Sequence, residues 1–233
     1  MWSLSPAETE ALVLSLKVAF WSVAASVPVA LALAWLLARR DFPGKTLLDA
    51  VVHLPLVLPP VVVGYFLLIL FGKRGAIGSF LDEYLGVSFA FRWTGAALAC
   101  AVMGLPLLVR AIRQSIDAVD RGLEAAAATL GAPPFMVFAS VTLPLILPGI
   151  LTGMLLSFAR SLGEFGATIT FVSNIPGETQ TLPLAIYTFT QVPGGDAQAL
   201  RLCILSIVLS LAALMASEVL VRRATVRAAG RDA

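Results

Sequence analysis

Five long apolar runs dominate this sequence and restrict what the chain can fold into. A helix needs about 20 mostly apolar residues to cross the hydrocarbon core of a bilayer. Hydrophobic residues make up 59% of the 233 residues and charged residues only 13%, outside the balance of a soluble domain. We therefore expect an all-α polytopic membrane protein, a single membrane domain over 1–233. Its five transmembrane helices are predicted at about Leu12–Leu37, Val51–Phe71, Thr94–Val109, Leu143–Leu162 and Leu202–Val221.

Basic residues are distributed unevenly between the two sides of these spans. The segment before the first span has none, and the second and fourth linkers together have four. Because cationic loops stay in the cytoplasm, we expect the N-terminus outside and the C-terminal tail, 222–233, inside. Ten of the 16 lysines and arginines fall on the predicted cytoplasmic side: Arg39, Arg40, Lys45, Arg110, Arg113, Arg121, Arg222, Arg223, Arg227 and Arg231.

The second predicted span contains three prolines. Pro55, Pro59 and Pro60 remove backbone donors, so this helix must bend or break near its cytoplasmic half. A kinked helix is tolerated in a membrane only where partners satisfy the freed carbonyl groups. This pattern favours a packed transporter or channel over a simple anchor.

Residues suited to enzymatic or metal chemistry are scarce. His53 is the single histidine, and Cys100 and Cys203 lie inside spans as small packing residues. The sequence Gly44-Lys45-Thr46 resembles the end of a P-loop, but Arg39 stands where the first glycine of that motif belongs. We therefore expect a transport subunit and no enzyme, with no catalytic residues, no metal site and any ATP bound by another chain.

The segment that begins near the outer end of the fourth predicted span combines charged residues with neutral hydrogen-bond donors. Arg160 and Glu164 are four residues apart and share a helix face, so they can form a structural ion pair or take part in a transport pathway. The hydroxyl and amide groups nearby either line or gate such a pathway or join helices by hydrogen bonds. A short apolar stretch at 182–189 suits a re-entrant or interfacial helix. The pathway candidates are Ser161, Glu164, Thr168, Thr170, Ser173 and Asn174.

A loop of small residues joins the third and fourth spans on the predicted cytoplasmic side. Asp117 or Asp120 can cap a short helix that ends at Gly131 in a left-handed turn. Pro133 and Pro134 then start a second helix. Apolar side chains beyond the turn, namely Phe135, Met136 and Phe138, favour contact with another protein over a hairpin packed on its own bundle.

Glu124-Ala125-Ala126, Gly131 and Val141-Thr142-Leu143-Pro144 resemble the signature loop of the permease subunits of ABC importers. Glu124 lies seven residues before Gly131, one more than in the general pattern, and the molybdate branch shares this shift. The segments HLPLVLPPVVVGY, FGKRGAIGSFL, FARSLGEFGATITFVSNIPGETQTLP and QVPGGDAQALRLCILS are also similar to molybdate permeases. The SLGEFGA core is shared with sulfate, thiosulfate and tungstate relatives.

The resemblance implies the type I importer permease fold, with a transmembrane domain over 10–221 and a coupling loop over 117–140. It also implies a homodimer in the inner membrane of a bacterium, with two copies of an ABC ATPase that bind ATP and Mg, and an extracytoplasmic molybdate-binding protein. This chain would bind no cofactor of its own and no nucleic acid. A sulfate, thiosulfate or tungstate permease, an ATP-independent channel and a structural membrane subunit remain alternatives. The residues expected to contact the ATPase are Glu124, Ala125, Ala126, Gly131, Phe135, Phe138, Leu143 and Pro144.

Overall fold

The computed structural model describes residues 4–229, which are mostly helical and contain no strand, so the all-α prediction is confirmed. The last residues of the predicted tail, 230–233, lie outside the described residues. The helices are α1 Pro6–Arg39, α2 Lys45–Val57, α3 Pro60–Phe71, α4 Ala76–Leu85, α5 Trp93–Asp117, α6 Arg121–Thr129, α7 Pro134–Val137, a π-helical segment Phe138–Thr142, α8 Leu143–Leu162, α9 Gly166–Val172, α10 Leu182–Thr190 and α11 Asp196–Ala229.

Four helical stretches within the described residues are long and apolar enough to cross a membrane. They are α1, α5, Pro134–Leu162 and Asp196–Ala216. The helix α8 begins and ends at the predicted residues. In contrast, α5 continues eight residues past the predicted end at Val109, because Ile112 and Ile116 extend its buried face. The helix α11 likewise continues beyond Val221, so residues 222–229 of the predicted tail are helical.

The second predicted span is broken, as its prolines indicate. The chain bends by 116° between its two parts, α2 and α3. Pro59 stands just before α3, and Pro60 is the first residue of that helix, where its missing amide donor costs nothing. With 12 residues, α3 is about 18 Å long and cannot cross a bilayer alone. The bent pair together makes the fifth candidate span.

The centre of the bundle is a close packing of α1, α5 and α8. Small residues allow this approach, since a side chain at Gly104 would collide with Ser157 and one at Gly149 with Ser115. Across the α1–α8 contact, the hydroxyls of Ser22 and Ser161 lie 3.0 Å apart. These three helices therefore form a core against which the shorter helices pack.

Two short helices follow α8 and lie against this core. The helix α9 packs on α3, where Gly64 lets the backbone of Ala167 approach closely. The helix α10 begins at Leu182, whose backbone N–H donates to Ser15 Oγ of α1 at 2.7 Å. With nine residues, α10 is too short to cross a bilayer, in agreement with the prediction for 182–189.

Candidate functional site

The loop between α5 and α8 folds as two short helices around a left-handed turn. Asp120 caps α6 by accepting a hydrogen bond from the Gly122 N–H at 2.8 Å, whereas Asp117 ends α5. Gly131 follows α6 with φ +87°, a conformation that L-residues with a β-carbon rarely adopt. Pro134 is then the first residue of α7. The helix, turn and helix that the sequence predicts are thus present.

Large apolar side chains are exposed around this turn. Leu130 is 88% exposed and Phe135 81%, and Leu123 and Met136 are about half exposed. Ala125 and Ala126, which lie with Leu123 on α6, are also exposed. Sequence reasoning missed Leu123 and Leu130, because neither lies beyond the turn where an apolar cluster was expected. We call the six side chains the loop surface: Leu123, Ala125, Ala126, Leu130, Phe135 and Met136.

Three of the predicted ATPase-contact residues are partly buried against the permease bundle. Phe138 packs edge-on against Trp35 of α1, with ring centroids 5.2 Å apart, and its contact with the ATPase stays a prediction. Leu143 packs against the same apolar cluster. Pro144 is the second residue of α8 and is partly buried. The packing of Phe138 and Leu143 on the bundle is not revealed by the loop sequence alone.

Glu124 is held by two donors of its own chain. Its Oε1 accepts from Arg39 Nη2 at 2.9 Å and from Thr142 Oγ1 at 2.6 Å. Arg39 ends α1, and Thr142 ends the π-helical segment. The Glu124 carboxylate therefore joins three elements of the same chain, and its contact with donors on the ATPase stays a prediction.

Arg160 and Glu164 form an ion pair, with Arg160 Nη1 2.7 Å from Glu164 Oε2. The Glu164 side chain is 1% exposed, while that of Arg160 is 29% exposed. The other carboxylate oxygen, Oε1, accepts from the Ala167 N–H at 2.8 Å. Glu164 therefore ties the end of α8 to the first turn of α9.

The hydroxyl groups predicted along a pathway are mostly engaged within the chain. Ser161 and Thr168 are buried, so in this conformation they pack helices together and do not line a surface. Thr168 donates to Phe165 O at 2.9 Å, and Thr170 donates to Gly166 O at 2.8 Å. Of the two predicted pathway threonines, Thr168 is buried and Thr170 is partly exposed. The hydrogen-bonding alternative thus describes Ser161 and Thr168.

Ser173 stands apart from the other predicted residues. It is exposed, and its φ of +65° with ψ of −165° is a conformation that residues other than glycine seldom adopt. Such strain is kept only where the surrounding structure enforces it, and it concentrates at functional sites. The following residue, Asn174, is held by two polar side chains that sequence reasoning missed, those of Thr188 and Gln180. Its Nδ2 donates to Thr188 Oγ1 at 2.8 Å, and its Oδ1 accepts from Gln180 Nε2 at 3.0 Å.

Metal ligation finds no support in the described part of the chain. Over residues 4–229, no three His, Cys, Asp or Glu side chains are grouped so that they could hold a metal ion. His53 is part of a polar cluster, where its Nδ1 lies 2.9 Å from the backbone carbonyl oxygen of Asp49 on the same helix. The two features of interest are therefore the loop surface and the Glu164–Asn174 segment.

Comparison with known proteins decides between the classes that these features allow. Residues 26–226 match the family of binding-protein-dependent transport system inner membrane components. The chain belongs to this family. It is thus a multi-pass inner-membrane permease subunit of the ABC transporter class.

Two relatives resemble this permease over nearly its whole length. The molybdenum transport system permease protein ModB of Escherichia coli (strain K12) is 59% identical over 225 residues, which cover 97% of this chain and 98% of that protein. The protein of the same name from Haemophilus influenzae is 57% identical over 216 residues, covering 93% and 94%.

A solved structure shares the fold of this permease. It is a bacterial alginate ABC transporter in complex with an alginate pentasaccharide-bound periplasmic protein. The TM-score is 0.74 at 18% identity, with 94% of this chain and 80% of that chain covered. The predicted importer permease fold is confirmed by this match and by the family assignment.

Proposed function

We propose that this chain is the membrane-spanning permease subunit of an ATP-driven importer that carries molybdate across the cytoplasmic membrane. The observation that carries the proposal is the 59% identity to a molybdenum transport permease over 97% of this chain. Because that identity extends over nearly the whole membrane domain, it includes the segments that a substrate must pass. The chain itself moves the substrate, and ATP hydrolysis belongs to a partner.

The loop surface is the proposed docking site for an ABC ATPase, which binds the ATP and Mg. Exposed apolar side chains such as Leu130 and Phe135 are unfavourable in water, and covering them with a partner lowers the free energy of the complex. Gly131 shapes the turn that presents them. Two copies of the permease, each with its 117–140 loop, would engage two ATPase subunits.

We further propose that the permease is a homodimer with the pathway at or near the two-fold axis. Five spans with polar groups on only a few faces do not enclose a route for an oxyanion, so we expect two copies to enclose it together. Thr170 and Ser173 are the residues proposed to line that route, and the buried Glu164, paired with Arg160, is proposed to gate it. The helix α10 would be re-entrant beside it, and Asn174 would hold the connecting loop in place.

The uneven distribution of basic residues supports an orientation with the N-terminus outside and the 117–140 loop in the cytoplasm. An extracytoplasmic molybdate-binding protein would then dock on the opposite face. Single cysteines at Ala7 and Arg121, introduced after replacement of Cys100 and Cys203, test this arrangement. Labelling of position 121 by an impermeant reagent in intact cells would contradict it.

The experiment that tests the function is uptake of labelled molybdate into vesicles that contain the whole importer. We expect uptake to require ATP inside and the binding protein outside, and to be competed by unlabelled molybdate. Stronger competition by sulfate, thiosulfate or tungstate would identify one of those anions as the substrate instead. Uptake without ATP, together with no ATPase subunit recovered on purification, would favour an ATP-independent channel or a structural subunit.

A further inference from the structure

We propose that Arg39 at the end of α1 is a positioning residue that couples the 117–140 loop to the transmembrane bundle, through a joint with Glu124 and Thr142. The inference rests on the proposed function, because the joint matters only where an ATPase moves this loop. Arg39 lies 85 residues before Glu124 in the sequence, and neither the family match nor the names of the relatives assign it a role.

The joint connects three separate elements at one oxygen atom. Glu124 Oε1 accepts from the guanidinium of Arg39 on α1 and from the hydroxyl of Thr142, the last residue of the π-helical segment that leads into α8. Hydrogen bonds to a charged acceptor are shorter and stronger than those between neutral groups. A displacement of α6 therefore acts on α1 and on α8 at the same point.

The position of α6 depends mainly on Glu124. That helix has nine residues and none of them is buried, so apolar packing contributes little to its position. A helix of this length is also marginal on its own. The attachment of α6 to α1 thus depends on the charged contact between Glu124 and Arg39.

An aromatic contact between Arg39 and Trp35 also supports the joint. The Arg39 guanidinium lies 5.5 Å from the centre of the Trp35 ring, within the range of a cation–π interaction. Trp35 in turn packs edge-on against Phe138, the first residue of the π-helical segment. π-Helical segments are rare in proteins, and those that occur often lie at functional sites. The joint is therefore continuous from Glu124 to the core of the bundle.

Stability alone is a weak reason for this arrangement. The Arg39 side chain is 12% exposed and that of Glu124 20%, so both charges are largely removed from water. The Nε of Arg39 is buried without a hydrogen-bond partner within the described residues. Replacing a buried ion pair by apolar residues is often neutral or stabilising, and the best-attested use of such pairs is to fix one geometry. We therefore assign the pair to geometry, here the position of α6 relative to α1.

Charge reversal in the assembled importer tests this assignment. The variants are Arg39→Glu, Glu124→Arg and the double variant, and Arg40→Glu is the matched control, since Arg40 is exposed and the neighbouring basic residue. The readouts are ATPase subunit recovered per permease, ATP hydrolysed, and labelled molybdate taken up. The ratio of uptake to hydrolysis separates coupling from assembly.

We expect Arg39→Glu to keep ATPase recovery and hydrolysis near the wild-type level while uptake per ATP falls about tenfold. The double variant should regain most of that ratio, and Arg40→Glu should be unchanged. If Arg39→Glu does not assemble, Glu124→Gln carries the same test, because it keeps the size and removes the charge. An unchanged ratio in the assembled single variants, or no recovery in the double variant, would overturn the proposal. Failure of the wild-type permease to bind any ATPase would instead refute the proposed function.

Discussion

Glu8, in the first turn of α1, is joined to Arg201, near the start of α11, by two contacts of 3.0 Å. Its Oε1 accepts from Nε of Arg201 and lies at the same distance from Nη2. Glu8 is fully buried, and its other oxygen accepts from the Ser5 N–H at 2.6 Å. The pair therefore fastens the first helix to the last, 193 residues away.

Removing one partner of this pair should be costly. Arg201→Ala would leave the Glu8 carboxylate buried without its counter-charge, which we expect to destabilise the fold by about 2 kcal/mol. That is below the roughly 3–5 kcal/mol of fully buried pairs, because Arg201 itself is 27% exposed. The measurement is the apparent melting temperature of the purified permease in detergent. Glu10→Gln, an exposed carboxylate on the same helix, is the control and should leave it unchanged.

Gly64 is predicted to control how α9 sits on α3. A β-carbon at this position would lie 2.5 Å from the Ala167 carbonyl oxygen and 2.9 Å from its Cα, and a backbone cannot yield as a side-chain end can. Gly64→Ala should therefore displace α9 and reduce molybdate uptake severalfold in an assembled complex. Gly163→Ala is the matched control, because its nearest neighbour would be 4.0 Å away. Equal uptake by both variants would contradict a role for this contact.

The ion pair at the start of the proposed pathway leads to two different outcomes for its two partners. Arg160→Ala should lower the yield of assembled permease, because it leaves the buried Glu164 carboxylate without its counter-charge. Glu164→Gln keeps an oxygen that can accept from Ala167 N–H, so we expect normal assembly with slower uptake. The two quantities to compare are permease yield and uptake per assembled complex. Normal uptake by Glu164→Gln would limit this residue to a structural role.

Local signals allowed much of the helix pattern to be predicted from sequence. The limits of α8 follow from its apolar run, with Pro144 in the first turn and Gly163 after the end. Pro59 and Pro60 predict the break between α2 and α3, because a proline supplies no backbone donor. Gly131 predicts the turn of the loop because glycine readily adopts a positive φ. The angle of 116° at the break was not predictable, since it depends on what the two helices pack against.

Long-range contacts and side-chain directions were beyond sequence reasoning. Nothing near Glu124 in the sequence points to Arg39, and many basic residues could have been its partner. Phe135 and Phe138 look equivalent in the sequence, yet Phe135 is 81% exposed while Phe138 packs against Trp35. The positive φ of Ser173 was equally hidden, because serine has no preference for that conformation. Such features arise from packing of the whole bundle.

Gly131 should be needed for ATPase docking because of its backbone conformation. An added β-carbon there would meet no atom within 4 Å, so the cost of Gly131→Val is backbone strain of about 1 kcal/mol or more. We expect the turn to shift and ATPase recovery per permease to fall. Gly44 offers a matched control, since it has φ +88° and equally open space but lies outside the loop. Similar recovery for Gly131→Val and Gly44→Val would argue against the turn as a docking feature.

Phe135 and Phe138 provide the sharpest test of the docking surface, because they differ in exposure but not in chemistry. Phe135 is 81% exposed, so Phe135→Ser should leave the melting temperature of the permease nearly unchanged and lower ATPase recovery severalfold. Phe138 contacts Trp35 within the bundle, and Phe138→Ser should instead destabilise the permease by about 2–4 kcal/mol through the cavity it leaves. Purification at equal permease concentration, followed by melting and by quantification of bound ATPase, measures both effects. If Phe135→Ser retains the ATPase as well as the wild type does, the exposed turn is not where the partner binds.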